Sequence, residues 1–212
     1  MMPGRDYSRW GEQAAILGFF GDGKPGRFLD LGAFDGVTES NTRALVERQW
    51  AGLCVEANPA NFQRLLAGLQ QFPKVQALCA AISPSERPSP FHESIHAECG
   101  TCSASHRLGK ELRRSFYVGS VTAVEIALAF GADFDFVSLD VEGVDLEVLP
   151  TLGPLLRATR LLCIEIVKPN EPFDPAYKGE MLRIAALLGF RRTVLETFDE
   201  TERPRNVLLA NA

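Results

Sequence analysis

Several features that reveal a protein's class are missing from this sequence. No apolar run approaches the roughly 20 residues that a membrane-spanning helix needs. The first ten residues carry charges but no apolar segment typical of a signal peptide. We therefore expect a cytoplasmic protein that does not associate with membranes. Basic residues are not in excess, since 22 Lys and Arg against 27 Asp and Glu give a net charge of −5. This balance argues against a nucleic-acid partner.

Cysteine and histidine are also scarce, with five and three residues respectively. Cys54, Cys79 and Cys163 lie in apolar stretches, which is typical of small core residues in a reduced protein. The other two cysteines and all three histidines lie within residues 92–106. A zinc site or a redox pair is an alternative there, but one Cys-x-x-Cys with histidines at no standard spacing is weak support. We predict a polar segment without a metal.

Apolar runs alternate with helical patterns along the whole chain. The patterns predict strands over 28–31, 52–56, 75–82, 134–139, 160–167, 190–198 and 207–210, and helices over 8–20, 38–49, 59–69, 122–130, 144–156 and 175–188. Because the central strands are continuously apolar, both of their faces are expected to be buried in a mostly parallel sheet covered by helices. The last two strands lack a helix between them, so we expect a hairpin that makes the C-terminal strand antiparallel. The prediction is one α/β domain over residues 1–212.

One stretch interrupts this alternation. Residues 84–119 separate the third predicted strand from the following helix and are too many for a simple loop in a compact domain. Long insertions of this kind often form lids or binding loops, so we predict that this segment covers a site or contacts an acceptor.

The turn after the first predicted strand points to a ligand. The apolar run ends at Asp30, and Gly32 and Gly36 follow it before a helical stretch. Glycines at such a turn let a ligand approach the backbone. Glu56 ends the second predicted strand, 20 residues beyond Gly36, where an acidic side chain can bind ribose hydroxyls. Asn58, just beyond it, is predicted to cap the next helix and is also a candidate adenosine contact.

The same turn distinguishes between two nucleoside cofactors. A dinucleotide site needs glycines in a Gly-x-Gly-x-x-Gly frame, but Phe34 occupies the second glycine position and Asp35 precedes the last one. A carboxylate there would repel a diphosphate. S-Adenosylmethionine has no phosphate and carries a cationic sulfonium and ammonium. An acidic turn therefore favours S-adenosylmethionine, and a nicotinamide-dependent oxidoreductase is a weaker alternative.

These residues belong to a wider set of motifs that resembles a known family. The motifs are Tyr7-Ser-x-x-Gly-Glu-Gln-Ala, Phe28-Leu-Asp-Leu-Gly-Ala-Phe-Asp-Gly-Val-Thr, Ser40-Asn-Thr, Trp50-Ala-Gly-Leu-Cys-Val-Glu-Ala-Asn-Pro and Ser138-Leu-Asp-Val-Glu-Gly-Val-Asp-Leu-Glu-Val-Leu. Over about residues 7–167 the chain resembles the FkbM-type methyltransferases. One departure is Ala57, which stands where proline is common.

The resemblance implies a fold, an activity and a set of site residues. It implies the class I methyltransferase fold, a Rossmann-like three-layer sandwich, and a methyltransferase of the EC 2.1.1 class that uses S-adenosylmethionine, most often on hydroxyls of sugars and secondary metabolites. Its functional core would be Asp30, Gly32, Asp35, Gly36, Glu56, Asp140 and Glu142. The full set of predicted cofactor contacts is Asp30, Gly32, Ala33, Phe34, Asp35, Gly36, Asn41, Glu56, Ala57, Asn58, Ala81, Ile82 and Asp140.

The reaction adds a requirement for a base. A hydroxyl acceptor must lose its proton, so a general base or a metal is needed near the methyl group. The candidates are Asp140 at the end of the fourth predicted strand, Glu142 two residues on, and His106 in the insertion. Asp140 could instead orient the cofactor, and Glu142 could cap the next helix. N-methylation of a small molecule, or cofactor binding without catalysis, are the alternatives to O-methylation. Symmetry preferences favour a homodimer.

Overall fold

The computed structural model of the chain describes residues 5–85, 87–95, 100–103, 112–167 and 173–211. The helices are α1 (Glu12–Phe20), α2 (Arg43–Glu47), α3 (Pro59–Leu69), α4 (Ala123–Phe130), α5 (Asp145–Val148) and α6 (Pro175–Leu187). The strands are β1 (Arg27–Leu31), β2 (Ala51–Glu56), β3 (Val75–Cys79), β4 (Ala81–Ile82), β5 (Ser89–Ser94), β6 (Leu112–Val118), β7 (Ser120–Val121), β8 (Phe136–Leu139), β9 (Leu161–Glu165), β10 (Phe190–Phe198) and β11 (Pro204–Asn211).

Seven of these strands form one sheet in the order β10-β11-β9-β8-β1-β2-β3. β1 pairs in parallel with β2 and β8, and β8 pairs in parallel with β9. β11 is antiparallel to both β9 and β10. The predicted α/β fold with a mostly parallel sheet and an antiparallel C-terminal strand is therefore confirmed.

The central strands are apolar on both faces because helices cover both faces. Leu29 of β1 packs into a core shared with α4, α5 and α6, whereas Phe28 faces a second core formed with α1, α2 and α3. Side chains of successive strand residues alternate between faces, so each of the inner strands contributes to both cores. Among the residues described, no helix combines the length and apolar character that crossing a membrane requires.

Three predicted helices are shorter by more than one residue in the structure. The first, predicted over 8–20, begins at Glu12, because Gly11 adopts φ +91° and Ser8 accepts from the Gln13 amide at 3.0 Å instead of capping at position 8. The second, predicted over 38–49, is reduced to α2, and the residues before it form side-chain-stabilised turns. The third, predicted over 144–156, stops at Val148 and passes into a 3-10 turn that contains Pro150.

The strand predicted over 134–139 begins at Phe136, and the one predicted over 160–167 covers Leu161–Glu165. Two other predicted strands differ more. The strand predicted over 75–82 splits at Ala80, whose amide still donates to the Glu56 carbonyl at 3.1 Å. Beyond Ala80 the chain leaves the large sheet, and β4 pairs with β7. The last strand, predicted over 207–210, extends over all of β11 because it pairs with strands on both sides.

The long insertion has secondary structure of its own. β5 and β6 form an antiparallel hairpin that lies outside the seven-stranded sheet. Phe91 and Val118 of this hairpin pack with Ala81 in a small separate core, which attaches the insertion beside the end of β3. The sequence predicted an insertion here but no strands.

Candidate active site

A cleft of about 1020 Å³ opens where the parallel strands end at their carboxyl termini. Ligands bind at this edge of open α/β sheets, because connections there diverge to opposite faces. Glu12 of α1 lines one part of the cleft, and Phe91, Gly100 and Cys102 of the insertion line another. The insertion therefore contributes to the wall of the cleft.

The structure gathers nearly all predicted cofactor contacts in this cleft. Those that line it are Asp30, Gly32, Ala33, Phe34, Asp35, Asn41, Glu56, Ala57, Ala81, Ile82 and Asp140. Gly36 and Asn58 are not among the lining residues. Gly36 has φ +70°, and a Cβ there would lie 2.6 Å from Leu65, so its role is in packing the turn against α3. Asn58 is buried and caps α3, accepting from the Ala60 amide at 2.9 Å.

Glycine is required at position 32 because the backbone of Asp140 approaches it closely. Its φ of +93° is in the left-handed region, and an added Cβ would lie 1.7 Å from the Asp140 carbonyl oxygen. The Gly32 amide donates to the Val55 carbonyl at 3.0 Å. Three strand ends therefore meet at this residue, and the missing side chain lets β8 end directly beside the glycine turn.

Asp35 fixes the turn that follows. Its carboxylate accepts from the Val37 and Thr38 amides at 2.9 and 2.7 Å and from the Thr38 hydroxyl at 2.7 Å. These bonds hold the chain in a turn at the position where the sequence predicted a helix to begin, because the side chain competes with the helical bonding pattern.

Asp30 is buried within β1, with its side chain directed toward the loop before α2. It accepts from the Thr42 hydroxyl at 2.6 Å. Burial raises the pKa of Asp30 to about 6, although the Thr42 bond opposes this rise.

Glu56 is held by two backbone amides. It accepts from the Phe34 amide at 2.9 Å and from the Asn58 amide at 2.7 Å. Burial raises the pKa of Glu56 to about 7, with the two amides opposing the rise and Asp30 adding to it. The carboxyl group is thus fixed at the end of β2, facing the glycine turn, and titrates near neutral pH.

The strand register brings the polar residues of the cleft into one row. Leu31 pairs with Val55 and with Leu139, and Leu139 pairs with Ile164. One position beyond these residues, a row of side chains crosses the sheet: Glu56, Gly32, Asp140, Glu165 and Asn206. Glu165 and Asn206 are paired directly. Adjacent strands are about 4.8 Å apart, so Asp140 and Glu165 are neighbours and Glu56 lies roughly 10 Å from Asp140.

Asp140 and Glu165 differ from the other acids of the row in their bonding. Oδ1 of Asp140 and Oε2 of Glu165 are buried and have no hydrogen-bond partner among the residues that the structure describes. Burial raises the pKa of both carboxyls well above the ordinary range, and the charges of neighbouring acids raise it further. Both residues line the cleft.

The loop after Asp140 is organised by Asp145. Asp145 accepts from the Val141 and Gly143 amides, each at 3.0 Å. Glu142 has φ +55° and lines the cleft, and its carbonyl accepts from the Thr101 hydroxyl of the insertion. The N-cap position of α5 is Val144, without a side-chain cap, so the alternative role of Glu142 as a helix cap is not observed. Asp145 instead holds the loop before the helix, and Gly143, with φ +97°, allows the turn.

His106, the third predicted catalytic residue, lies outside the described residues, as do His96 and Cys99. His92 is buried in the hairpin, with Nδ1 2.8 Å from the Ser115 hydroxyl. Within the described part of the chain, no group of three or more His, Cys, Asp or Glu side chains is arranged to hold a metal.

Sequence reasoning missed the contribution of the two chain ends. Glu12 is buried and accepts from the Asn206 side chain at 2.7 Å, which joins α1 to β11 across the cleft. Arg203 and Arg205 of the last hairpin also line the cleft. Glu12 lies within the Gly-Glu-Gln-Ala motif, which was the available signal for it. No motif marked the arginines.

Comparison with known proteins agrees with this geometry. The model of the methyltransferase FkbM domain matches residues 30–192. The chain belongs to this family. It is an S-adenosylmethionine-dependent methyltransferase, and S-adenosylmethionine is its cofactor. No curated protein sequence matches the chain significantly.

Solved structures resemble this FkbM-family methyltransferase in fold. The fibrillarin pre-rRNA processing protein of Methanococcus jannaschii is 14% identical with a TM-score of 0.54, covering 95% of this chain and 76% of its own. A TehB-like methyltransferase from Corynebacterium glutamicum is 13% identical with a TM-score of 0.53, covering 99% and 90%. Magnesium protoporphyrin IX methyltransferase from Synechocystis, solved with S-adenosylmethionine bound, is 13% identical with a TM-score of 0.55, covering 95% and 79%.

The cleft of this FkbM-family methyltransferase is compatible with S-adenosylmethionine. The ligand is a cation. Within the described part of the chain, the buried Oδ1 of Asp140 in the cleft wall has no hydrogen-bond partner, and a cation would compensate it. Gly32 leaves no room for a side chain between the cleft and the Asp140 backbone. Phe34 and Asp35 both line the cleft, where they would oppose a diphosphate. The acidic turn is therefore compatible with S-adenosylmethionine and poorly suited to a dinucleotide.

Proposed function

We propose that this methyltransferase transfers the methyl group of S-adenosylmethionine to a hydroxyl of a sugar or secondary metabolite. The observation that carries the proposal is the buried Oδ1 of Asp140 in the cleft wall, which has no hydrogen-bond partner among the residues that the structure describes. Attack by a hydroxyl requires a group that accepts its proton, and this carboxyl group, once a cationic ligand favours its ionised form, is available for that role. S-Adenosylmethionine supplies an activated methyl group when bound.

Residues at the ends of β1 and β2 form what we call the cofactor side of the cleft: Asp30, Gly32, Phe34 and Glu56. Glu56 is assigned to the ribose hydroxyls, because two backbone amides hold its carboxyl group toward the glycine turn. Gly32 allows the methionine part of the ligand to approach the backbone. Asp30 and Asp35 supply negative charge for the ammonium group.

Residues at the ends of β8, β9 and β11 form the acceptor side: Asp140, Glu165, Arg205 and Asn206. In the row across the sheet, this group begins two strands away from Glu56, so it lies beyond the nucleoside and is reached by the acceptor. Here Asp140 accepts the hydroxyl proton while the walls of the cleft align the oxygen with the methyl carbon.

We assign to the insertion the role of shielding the reacting groups from water. The Thr101 hydroxyl donates to the Glu142 carbonyl, which ties the insertion to the loop that follows Asp140. Phe91, Gly100 and Cys102 place backbone and apolar surface in the cleft wall. A wall of this kind limits water around the reacting oxygen and strengthens the electrostatic interactions inside.

A first experiment tests cofactor choice and then chemistry. S-Adenosylhomocysteine should raise the melting temperature of the purified protein in a thermal-shift assay, and NAD should not, because only the former suits an acidic turn. A panel of sugars, hydroxylated metabolites and amines is then screened for methylated products by mass spectrometry. Products methylated on oxygen, and their loss in Asp140→Asn with binding retained, are expected.

Other outcomes identify the alternatives. Products methylated only on nitrogen, with activity retained in Asp140→Asn, would replace this proposal by N-methylation, since an uncharged amine needs no strong base. Tight binding without transfer to any acceptor of the panel would favour a protein that binds the cofactor without catalysis.

A further inference from the structure

We propose that Asp140 and Glu165 act as one proton-holding pair, which keeps a single shared proton until a cation binds beside it and then takes the proton of the acceptor hydroxyl. This inference rests on the proposed O-methylation and adds Glu165 as a second catalytic residue. Nothing in the motifs of the sequence assigned a role in the reaction to Glu165.

The register of the sheet places the two acidic residues at adjacent positions. Leu139 of β8 is in register with Ile164 of β9, so the next residues on each strand, Asp140 and Glu165, lie in adjacent positions about 5 Å apart. Both side chains line the cleft. Each has one buried oxygen without a hydrogen-bond partner among the described residues. The charge of Asp140 acts on Glu165. Two interacting acids at adjacent positions of a partly dehydrated site do not both ionise without a compensating charge.

Other charges around the pair mostly reinforce this behaviour. Four acids raise the pKa of one or both carboxyls of the pair: Asp30 of β1, Glu39 of the loop before α2, and Glu142 and Asp145 after β8. Arg205 of β11 is the cation that lowers the pKa of Glu165. Glu12 and Arg203 line the same cleft. The Arg205 guanidinium is committed to Asp199, with Nη2 2.8 Å and Nε 3.0 Å from its Oδ2. Arg205 therefore offsets only part of the negative charge near Glu165.

Charge stays balanced through the reaction. Without a cation, the pair holds one proton and one negative charge. A cationic ligand next to it favours full ionisation, and the shared proton leaves to solvent. During transfer, the bond between acceptor oxygen and methyl carbon forms, the bond between methyl carbon and sulfur breaks, and the hydroxyl proton moves to the pair. The positive charge that sulfur loses is thus replaced by a proton on Asp140 and Glu165.

The number of protons released on binding tests the pair directly. Binding of S-adenosylmethionine and of S-adenosylhomocysteine, without acceptor, is measured by isothermal titration calorimetry at pH 7 in two buffers with different ionisation enthalpies. The pair model expects S-adenosylmethionine to release about one proton more than S-adenosylhomocysteine, since only the former has a sulfonium charge. Sinefungin, which carries an amine near that position, should behave like the cation.

Variants separate the pair from a single acid. Glu165→Gln and Asp140→Asn should each lower the number of extra protons released, because the charge of the partner carboxyl no longer helps to hold the proton. Glu147→Gln, on the exposed face of α5 and outside the cleft, should release the same number as the wild type.

Three results would overturn the inference. Equal proton release with both ligands in the wild type would refute it while leaving the cofactor site intact, and needs no variant to fold. An unchanged extra proton in Glu165→Gln, with loss in Asp140→Asn, would assign the proton to Asp140 alone. Absence of binding by either ligand would remove the cofactor assignment on which the pair depends.

Discussion

The cofactor side and the acceptor side of the cleft both contain buried acids, but their hydrogen bonding differs. On the cofactor side, Asp30 is bonded to Thr42, and Glu56 is bonded to two backbone amides. On the acceptor side, Asp140 and Glu165 each retain a buried oxygen without a partner among the described residues. A carboxyl that protein groups already satisfy is fixed in orientation, whereas one that is unsatisfied costs folding free energy until a ligand compensates it.

This difference in hydrogen bonding suggests different roles for the two sides: the cofactor side positions a ligand, and the acceptor side takes part in the reaction. Glu56 is placed so that a ligand meets a preorganised acceptor of hydrogen bonds, which favours affinity. In the mechanism proposed above, Asp140 and Glu165 change charge and protonation during the reaction, which would favour catalysis at some cost in stability. The experiments below test this division, in order of decreasing expected effect.

The largest loss of stability is expected from a substitution at Gly32, where the cofactor side meets the acceptor side of the cleft. Gly32→Ala would force a Cβ against the Asp140 carbonyl oxygen and would keep a left-handed backbone. We expect a loss of at least about 3 kcal/mol in the free energy of unfolding, together with loss of ligand binding. Denaturant titration measures the first and thermal shift with S-adenosylhomocysteine the second.

Gly18→Ala is the matched control for that variant. Gly18 lies inside α1, and an added Cβ there would meet nothing within 4 Å. The same substitution should therefore be neutral or stabilise by up to about 1 kcal/mol. If Gly32→Ala behaved like Gly18→Ala, the close approach of β8 to the glycine turn would be wrong.

A smaller effect is expected at Asn58, which connects the cofactor side to the insertion. Its side chain accepts from the Ala60 amide and donates to Glu93 at 3.3 Å, and Glu93 in turn accepts from Arg114 at 2.6 Å. Asn58→Ala should cost about 1–2 kcal/mol in unfolding free energy, because it removes the helix cap and a bond to a buried acid.

Asn58→Ser distinguishes these two losses. Serine keeps a capping oxygen for α3 but cannot reach Glu93 as asparagine does. About half of the loss should therefore return in denaturant titrations. Identical destabilisation by alanine and serine would show that the cap contributes nothing.

The pH dependence of ligand affinity tests the cofactor side. The pKa of Glu56 is about 7 and is raised by burial, so its carboxyl is mostly protonated at pH 6 and mostly ionised at pH 8. Since ribose hydroxyls donate to the ionised form, affinity for S-adenosylhomocysteine should rise up to about tenfold over this range. Calorimetry at each pH on the wild type and on Glu56→Gln, which should lose this component, measures it. A rise of equal size in Glu56→Gln would assign the titration to another group.

The smallest effect is a gain in stability on the acceptor side. Burial raises the pKa of Glu165 in the folded protein, so the folded state binds more protons at this site than the unfolded state. Stability is therefore lost as pH rises above the ordinary glutamate pKa and through the raised one. Glu165→Gln should melt a few degrees above the wild type at pH 8, a gain of about 1 kcal/mol, and the gain should shrink toward pH 5. A lower melting temperature at pH 8 would mean that Glu165 is already satisfied.

Much of the fold was predictable from local patterns. α3 and its cap at Asn58, the buried strands, and the antiparallel C-terminal hairpin follow from helix-capping signals and continuous apolar runs. The helix predicted over 38–49 failed for a physical reason that propensity does not contain. Asp35 and Ser40 bond to nearby backbone amides and hold this region in turns, so the helix begins only at Arg43.

The candidate site was only half predictable. Residues of the cofactor side come from two consecutive strand–turn units, so a local motif contains them. Residues of the acceptor side come from β8, β9, β11 and α1, and Glu12 meets Asn206 across 194 positions of sequence. Only the assembled sheet brings such residues together.

By itself, the sequence determined the alternation of strands and helices, the glycine turn at Asp30–Gly36 and the acid at the end of β2. These are local properties, since apolar periodicity, backbone freedom and capping act over a few residues. The tertiary structure alone decided that Asp140 and Glu165 are neighbours and that each keeps a buried oxygen that no described residue bonds. Strand order and register set that arrangement, because they depend on which runs of sequence pair across the sheet.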